Sequence, residues 1–247
     1  MMKLMRFRNI LAAYINNHSR KGGLWSPFLI LLMLVIQPAV AVDAFQVGQD
    51  YRVTSQPLSE AVLKSPVKVR QWFWYGCASC ASFDEQYSQL KAPDVDWQRI
   101  PAQLRLNWYF HAKAFYVTSK LEGAEALDDA LFDMLASEPG AISDQKSLIQ
   151  WLVAQGIDAE AAEREVTSPI VNQQLNADER LQESIELRGV PTLVIDDYYI
   201  VDASMVRSLE QYMAVTEFLL VRARQARAEH GFEFIEDEAV ELTVMTE

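Results

Sequence analysis

Two cysteines, three histidines and nine glycines are all that 247 residues contain of the types that most often build metal centres and unusual backbone turns. A structural zinc site usually takes four Cys or His ligands. Once the N-terminal segment discussed below is set aside, only His111 and His230 remain beside the cysteines, neither at ligand spacing, so no metal and no other cofactor is expected. Basic residues are scarce too: 22 Lys and Arg stand against 34 Asp and Glu, for a net charge of −12. Phosphate backbones need a clustered positive field, so this balance argues against nucleic acid as a partner. There is no internal repeat, no low-complexity tract and no Ser-His-Asp order of the kind a hydrolase triad would show. What is abundant is apolar: 50% hydrophobic residues and 11% aromatics are ample for a packed core.

Charge is also missing locally, between Lys21 and Asp43. The preceding stretch carries Lys3, Arg6, Arg8, Arg20 and Lys21 and no acid, an apolar run follows from Phe28 to Ile36, and Ala39-Val40-Ala41 supplies small residues where a signal peptidase would cut before Val42. Basic, apolar, small is the order of a secretory signal, and residues 1–41 are read as one. The competing reading is an uncleaved anchor, since the uncharged window is about long enough to cross a bilayer. Either way the body is exported with the N-terminus held in the cytoplasm. Without residues 1–41 the body keeps 17 basic residues against 34 acidic ones, and it meets an oxidising compartment where a cysteine pair persists as a disulfide.

Along that body, Gln49 to Ser55 and Val67 to Tyr75 read as strands, being rich in Val and aromatics. Gly76 breaks the second, and Ala81, Phe83, Tyr87 and Leu90 suit a helix that begins at the cysteines. Asp94 to Ile100 is a further strand. From Leu104 to Leu187 the texture is helical: Trp108, Ala112, Phe115 and Tyr116 share one face, as do Leu127, Leu131, Met134 and Leu135. Ser143 and Asp158 are expected as N-caps, Gly156 as a helix stop, and a helix from Ser168 with Pro169 at its first position is expected to stop at Gly189. Pro191 to Val201 returns to strand composition, with Asp196-Asp197 as a tight turn. A last helix runs from Ala203 to Arg227, and residues 231–247 form an acidic tail read as disordered. The expected fold is a mixed α/β sheet whose middle connection holds four or so helices.

Cys77 and Cys80 stand as a C-x-x-C where strand gives way to helix. A thiol attacks only as its thiolate, and a helix N-terminus stabilises that anion. Cys80 follows one turn later on the same face, as a resolving partner would. A purely structural disulfide would close a tiny loop and stabilise little; it and a half metal site are the alternatives to a redox pair. Trp72, Phe73, Trp74 and Tyr75 are expected mostly in the core, with Tyr75 and Gly76 the pair able to border an apolar groove. His111, on a predicted helix, reads as a structural or surface residue rather than a catalyst.

"FWYGCASCASFDEQY", the helical insertion and "LRGVPTLVIDDYYIV" together resemble the thioredoxin-fold periplasmic thiol:disulfide oxidoreductases of the DsbA type, over about Phe45 to Val221. The resemblance implies a thioredoxin-like part at 45–103 with the C-x-x-C, a helical insertion at 104–187, and a second thioredoxin-like part at 188–230 whose Val190-Pro191 is the cis-proline loop that pairs with substrate. It implies Cys77 as nucleophile, Cys80 as resolving cysteine and Asp84 as a proton relay, with a solvated helix carboxylate as the alternative for Asp84. Gln71 stands where DsbA has a second buried acid. Ala78-Ser79 replaces the Pro-His of DsbA between the cysteines. A histidine there can donate a charge-assisted hydrogen bond to the thiolate and a serine cannot, so a less stabilised thiolate and a less oxidising couple are expected. The implied partners are unfolded or reduced exported proteins and a quinone-linked membrane partner, and the implied state is a monomer in the periplasm. A reductase or isomerase kept reduced by a membrane partner, and a non-catalytic binding protein on the same fold, are the rival readings.

Overall fold

The computed structural model describes residues 44–55, 57–87, 90 and 92–231. Residues 1–41, read above as a secretory signal, and the tail beyond Gly231 lie outside them. Five strands form one mixed sheet: β1 (Arg52–Val53), β2 (Val67–Phe73), β3 (Val95–Pro101), β4 (Thr192–Ile195) and β5 (Tyr199–Asp202), in the order β1-β5-β4-β2-β3. β2 runs parallel to β3 and antiparallel to β4, with Phe73 opposite Pro101 and Trp72 opposite both Ile100 and Thr192. A short helix α1 (Glu60–Leu63) precedes β2, and α2 (Ala78–Tyr87) joins β2 to β3. Between β3 and β4 come five helices, α3 (Trp108–Thr118), α4 (Ala124–Ser137), α5 (Gln145–Ala154), α6 (Ala159–Val166) and α7 (Pro169–Ser184), and α8 (Leu209–Glu229) ends the described chain. This is the mixed sheet with a helical middle connection that the sequence pattern implies, and the thioredoxin-like sheet with a helical insertion that the resemblance implies.

Alternation along β2 divides the core. Val67 and Val69 meet Phe83 and Tyr87 of α2 and Tyr212, Val215 and Leu219 of α8. Trp72 faces the other side, with Ile100, Val194, Trp108 and Leu187. The insertion has its own core of Leu131, Leu135, Leu148, Leu152 and Leu175, which reaches the sheet through Phe73, Tyr75 and Cys80.

Several boundaries differ from the expected ones. The first strand shrinks to Arg52–Val53, because Gly48 (φ 82°) and a bond from the Gln46 amide to Asp50 fold the preceding residues into a turn. The strand expected to Tyr75 stops at Phe73, whose carbonyl takes the Ala102 amide while the Cys77 amide turns back to Trp74. Asp144, not Ser143, caps α5, exchanging side-chain bonds with Ser147. Gly156 (φ 89°) ends that helix as expected, and Asp158 caps α6. The last long helix of the insertion ends at Ser184, well before Gly189: Glu186 takes the left-handed conformation (φ 50°), and the amides of Glu186 and Leu187 bond back to Glu183 and Gln182. That pattern closes a helix wherever its geometry can be met, usually by glycine. The final helix starts at Leu209, capped by Ser208, after a turn held by Asp202 and Ser204.

The Asp196-Asp197 turn is real, with both residues at φ 57°. Arg227 of α8 secures it, donating to both Asp196 oxygens (2.7 and 2.8 Å) and to the carbonyls of Ser65, Pro66 and Val62. The pair is buried on both sides. Removing one partner leaves an uncompensated buried charge. Arg227→Met is therefore expected to cost about 3–5 kcal/mol, read as a lowered denaturant midpoint, and Arg227→Lys to recover only part of it because one ammonium cannot satisfy the fork.

Candidate active site

Cys77 and Cys80 are joined as a disulfide, their Cα atoms 5.2 Å apart. The strand-helix junction sets their inequality. Cys77 occupies the N-cap position of α2, and its Sγ accepts the Cys80 amide at 3.1 Å, as a capping side-chain oxygen would. Cys77 is partly exposed; Cys80 is fully buried beneath it. Ala78 and Ser79 are exposed, and the Ser79 hydroxyl lies 3.2 Å from the Cys77 sulfur. Across from the pair, the Val190-Pro191 bond is cis, and the Val190 carbonyl is 3.8 Å from Cys77 Sγ.

Beneath the disulfide lies a cluster of charge. Asp84, one turn beyond Cys80, accepts a hydrogen bond from the Gln71 amide and pairs with Arg99 at 3.1 Å. Gln71 in turn accepts from Trp97 Nε1. Arg99 also pairs with Asp128 of α4 at 2.7 Å and lies 4.2 Å from the centre of the Phe73 ring. Tyr75 donates its hydroxyl to the second oxygen of Asp128. Burial opposes the charge on Arg99, but the carboxylates of Asp84 and Asp128 outweigh it and hold its pKa above the ordinary value. Burial, reinforced by Asp128, pushes the Tyr75 phenol well above its ordinary value, so it acts only as a neutral donor. Asp84 is thus an ion-paired, largely buried carboxylate rather than the solvated one a helix surface would present.

A groove of about 730 Å³ runs beside Cys77. Trp74, Leu104 and Trp108 form its apolar part, Gly189 and Val190 one edge, and Arg105 and Arg188 its charged rim. Trp74 is held from three directions. It stacks on Trp108 with ring centres 4.4 Å apart, its Nε1 donates to His111 Nδ1 at 2.8 Å, and its ring lies against Gly76 so closely that a Cβ there would come within 2.3 Å. His111 is buried, its Nε2 3.1 Å from the Ile142 carbonyl.

Five expected site residues come together: Cys77, Cys80, Asp84, Val190 and Pro191. Tyr75 does not border the groove. It follows the alternation of β2 to the face of Phe73 and is buried against Asp128, while Trp74, placed with the core from sequence, takes the groove. Gly76 contributes as the clearance under Trp74 rather than as a wall. Arg99 and Asp128 were not foreseen. They lie on a strand edge and on a distant helix, and nothing in their local sequence pairs them. Among the described residues no cluster of His, Cys, Asp and Glu could hold a metal ion.

Comparison with known proteins agrees with this architecture. The thiol:disulfide interchange protein DsbA of Burkholderia cepacia is 25% identical over 183 residues, 73% of this chain and 86% of that protein. The DsbA of Pseudomonas aeruginosa PAO1 is 23% identical over 76% of this chain and 90% of its own length. The crystal structure of Pseudomonas aeruginosa DsbA superposes with a TM-score of 0.67 at 23% identity, covering 76% of this chain and 98% of that one. The model of one family, the DSBA-like thioredoxin domain, matches residues 69–214, and the chain belongs to that family.

Proposed function

We propose that this protein is a thiol:disulfide oxidoreductase that passes its Cys77–Cys80 disulfide to exported proteins in the periplasm. The observation that carries the reading is the inequality of the two sulfurs: one partly exposed at a helix N-terminus facing a cis-proline loop, the other buried behind it. A substrate thiolate attacks Cys77 Sγ, the Cys77–Cys80 bond breaks, and Cys80 leaves as a thiolate that takes up a proton. The second substrate thiolate then attacks the substrate sulfur of the mixed disulfide, Cys77 leaves, and the substrate carries the disulfide while the enzyme is left with two reduced cysteines. Asp84, one turn from Cys80, is the proton relay for the resolving step, with Arg99 as its fixed counter-ion. Residues 45–103 and 188–230 hold the reacting groups and the 104–187 insertion supplies Asp128 and the groove wall. A quinone-linked membrane partner reoxidises the pair, and the enzyme works as a monomer. No helix among the described residues is long and apolar enough to cross a membrane.

Two features make the couple a mild oxidant. Ser79 offers the sulfur a neutral hydroxyl in place of an imidazolium, and the carboxylates of Asp84 and Asp128 offset the Arg99 charge on the side of Cys80. Both stabilise a thiolate, and hence the reduced form, less than a Pro-His pair over a neutral base would.

The wild type is expected to oxidise a reduced dithiol peptide and to catalyse insulin reduction, with Cys77→Ser at background in both assays; equal rates for the two proteins would leave only a binding role. Ser79→His is expected to make Cys77 titrate at lower pH and to shift the glutathione equilibrium about tenfold toward the reduced protein, a charge-assisted bond being worth roughly 1.5–3 kcal/mol. The groove wall has its own pH signature. Burial lowers the pKa of His111 below its ordinary 6.5. In acid the unfolded chain therefore binds a proton that the folded one resists, and stability falls as pH drops below about 6.5. Thermal melting across pH 4–8 is expected to show this loss, and His111→Gln to flatten it.

A further inference from the structure

The groove beside Cys77 is open to an extended segment that brings its cysteine there, and it is not neutral toward what such a segment carries. The residues lining it include two arginines and no carboxylate, in a chain with 34 acidic residues against 22 basic. Arg105 comes from the β3–α3 loop and Arg188 from the link between α7 and β4, so two distant parts of the chain place positive charge beside the same sulfur. Both arginines are exposed. Arg105 makes no ion pair among the described residues. Arg188 meets Glu186 at 3.2 Å, but that pair is 65% and 74% exposed, and a pair so open to water is weak and easily exchanged for another carboxylate. A third arginine, Arg52, stands close enough to Arg188 for their charges to repel.

We propose that Arg105 and Arg188 are specificity residues that select substrate segments with Asp or Glu within about three residues of the reacting cysteine. This rests on the oxidoreductase reading above and names the substrate class of the same site. The physical case has two parts. An acidic body repels acidic chains over most of its surface, so a positive rim at the sulfur concentrates them where they react. A carboxylate beside a substrate cysteine also raises the thiol's pKa and reduces its reactive thiolate. Arginines facing that carboxylate offset the effect during attack, and Trp74 and Trp108 give the segment an apolar surface to lie on.

The test uses three reduced dithiol peptides, identical except for two positions flanking one cysteine, which are Asp, Ser or Lys. Each rate with oxidised protein is divided by that peptide's rate with a neutral small-molecule disulfide, which removes intrinsic thiol reactivity. At low ionic strength the wild type is expected to favour Asp over Ser by about fivefold and Ser over Lys. The preference should collapse in 0.5 M salt, where screening is short-ranged. Arg105→Gln with Arg188→Gln should abolish the order and Arg105→Glu with Arg188→Glu should invert it. Arg164→Glu with Arg180→Glu, the same change in net charge on exposed helix faces elsewhere, should leave it in place. If the Ser peptide is oxidised but the three peptides rank equally, or rank alike in wild type and the glutamate variant, the selectivity is overturned while the enzyme reading stands. If no peptide is oxidised, the enzyme reading itself falls, and the selectivity with it.

Discussion

The indole of Trp74 lies across Gly76 at a distance that no other residue at position 76 would permit. The active end of the molecule depends on that contact. It sits between the end of β2 at Phe73 and Cys77, which caps α2. The two residues between strand and glycine part to opposite sides: Trp74 turns to Trp108, His111 and the groove, and Tyr75 turns inward to Asp128. A side chain at 76 would have to displace the indole, and with it one wall of the groove beside Cys77.

The insertion is joined to the sheet by chemistry as well as packing. Asp128, on its second helix, reaches Arg99 on the edge strand and Tyr75 beside the cysteines. Arg99 spans two carboxylates and covers Phe73. Any movement of the helical part relative to the sheet is therefore felt within a few bonds of the disulfide. At the opposite end, Arg227 uses its whole guanidinium to tie the last helix to the β4–β5 turn and to the start of β2. Two arginines thus hold the two ends of β2, the partly buried Arg99 near the sulfurs and the buried Arg227 far from them.

Much of this was legible in the residues. C-x-x-C after a hydrophobic strand, Pro169 opening a helix, Asp158 as a cap and Asp196-Asp197 as a turn are local signals, and each formed where local chemistry favours it. The misplaced boundaries have a common cause. Glu186 accepted a left-handed conformation that composition reserves for glycine, and Asp144 outcompeted Ser143 because only it could exchange bonds with Ser147. Both were decided by hydrogen bonds that can form in space rather than by residue preference. Tyr75 was placed in the groove and Trp74 in the core because aromatic runs carry no mark of which face is which. That mark appears only once strand register is known.

The sequence alone carried the reaction: two cysteines at C-x-x-C spacing on a strand-helix boundary, in a chain poor in metal ligands, suit disulfide exchange, and Ala78-Ser79 stands where the family it resembles has a histidine that makes the couple more oxidising. Tertiary structure decided the surroundings of that reaction. It brought Val190 and Pro191 to Cys77 from more than a hundred residues away, paired Arg99 with both Asp84 and Asp128, and set Arg105 and Arg188 on one rim. Local preference acts over a few residues, whereas these contacts are chosen by how the sheet and the insertion pack, and no short stretch of chain encodes that.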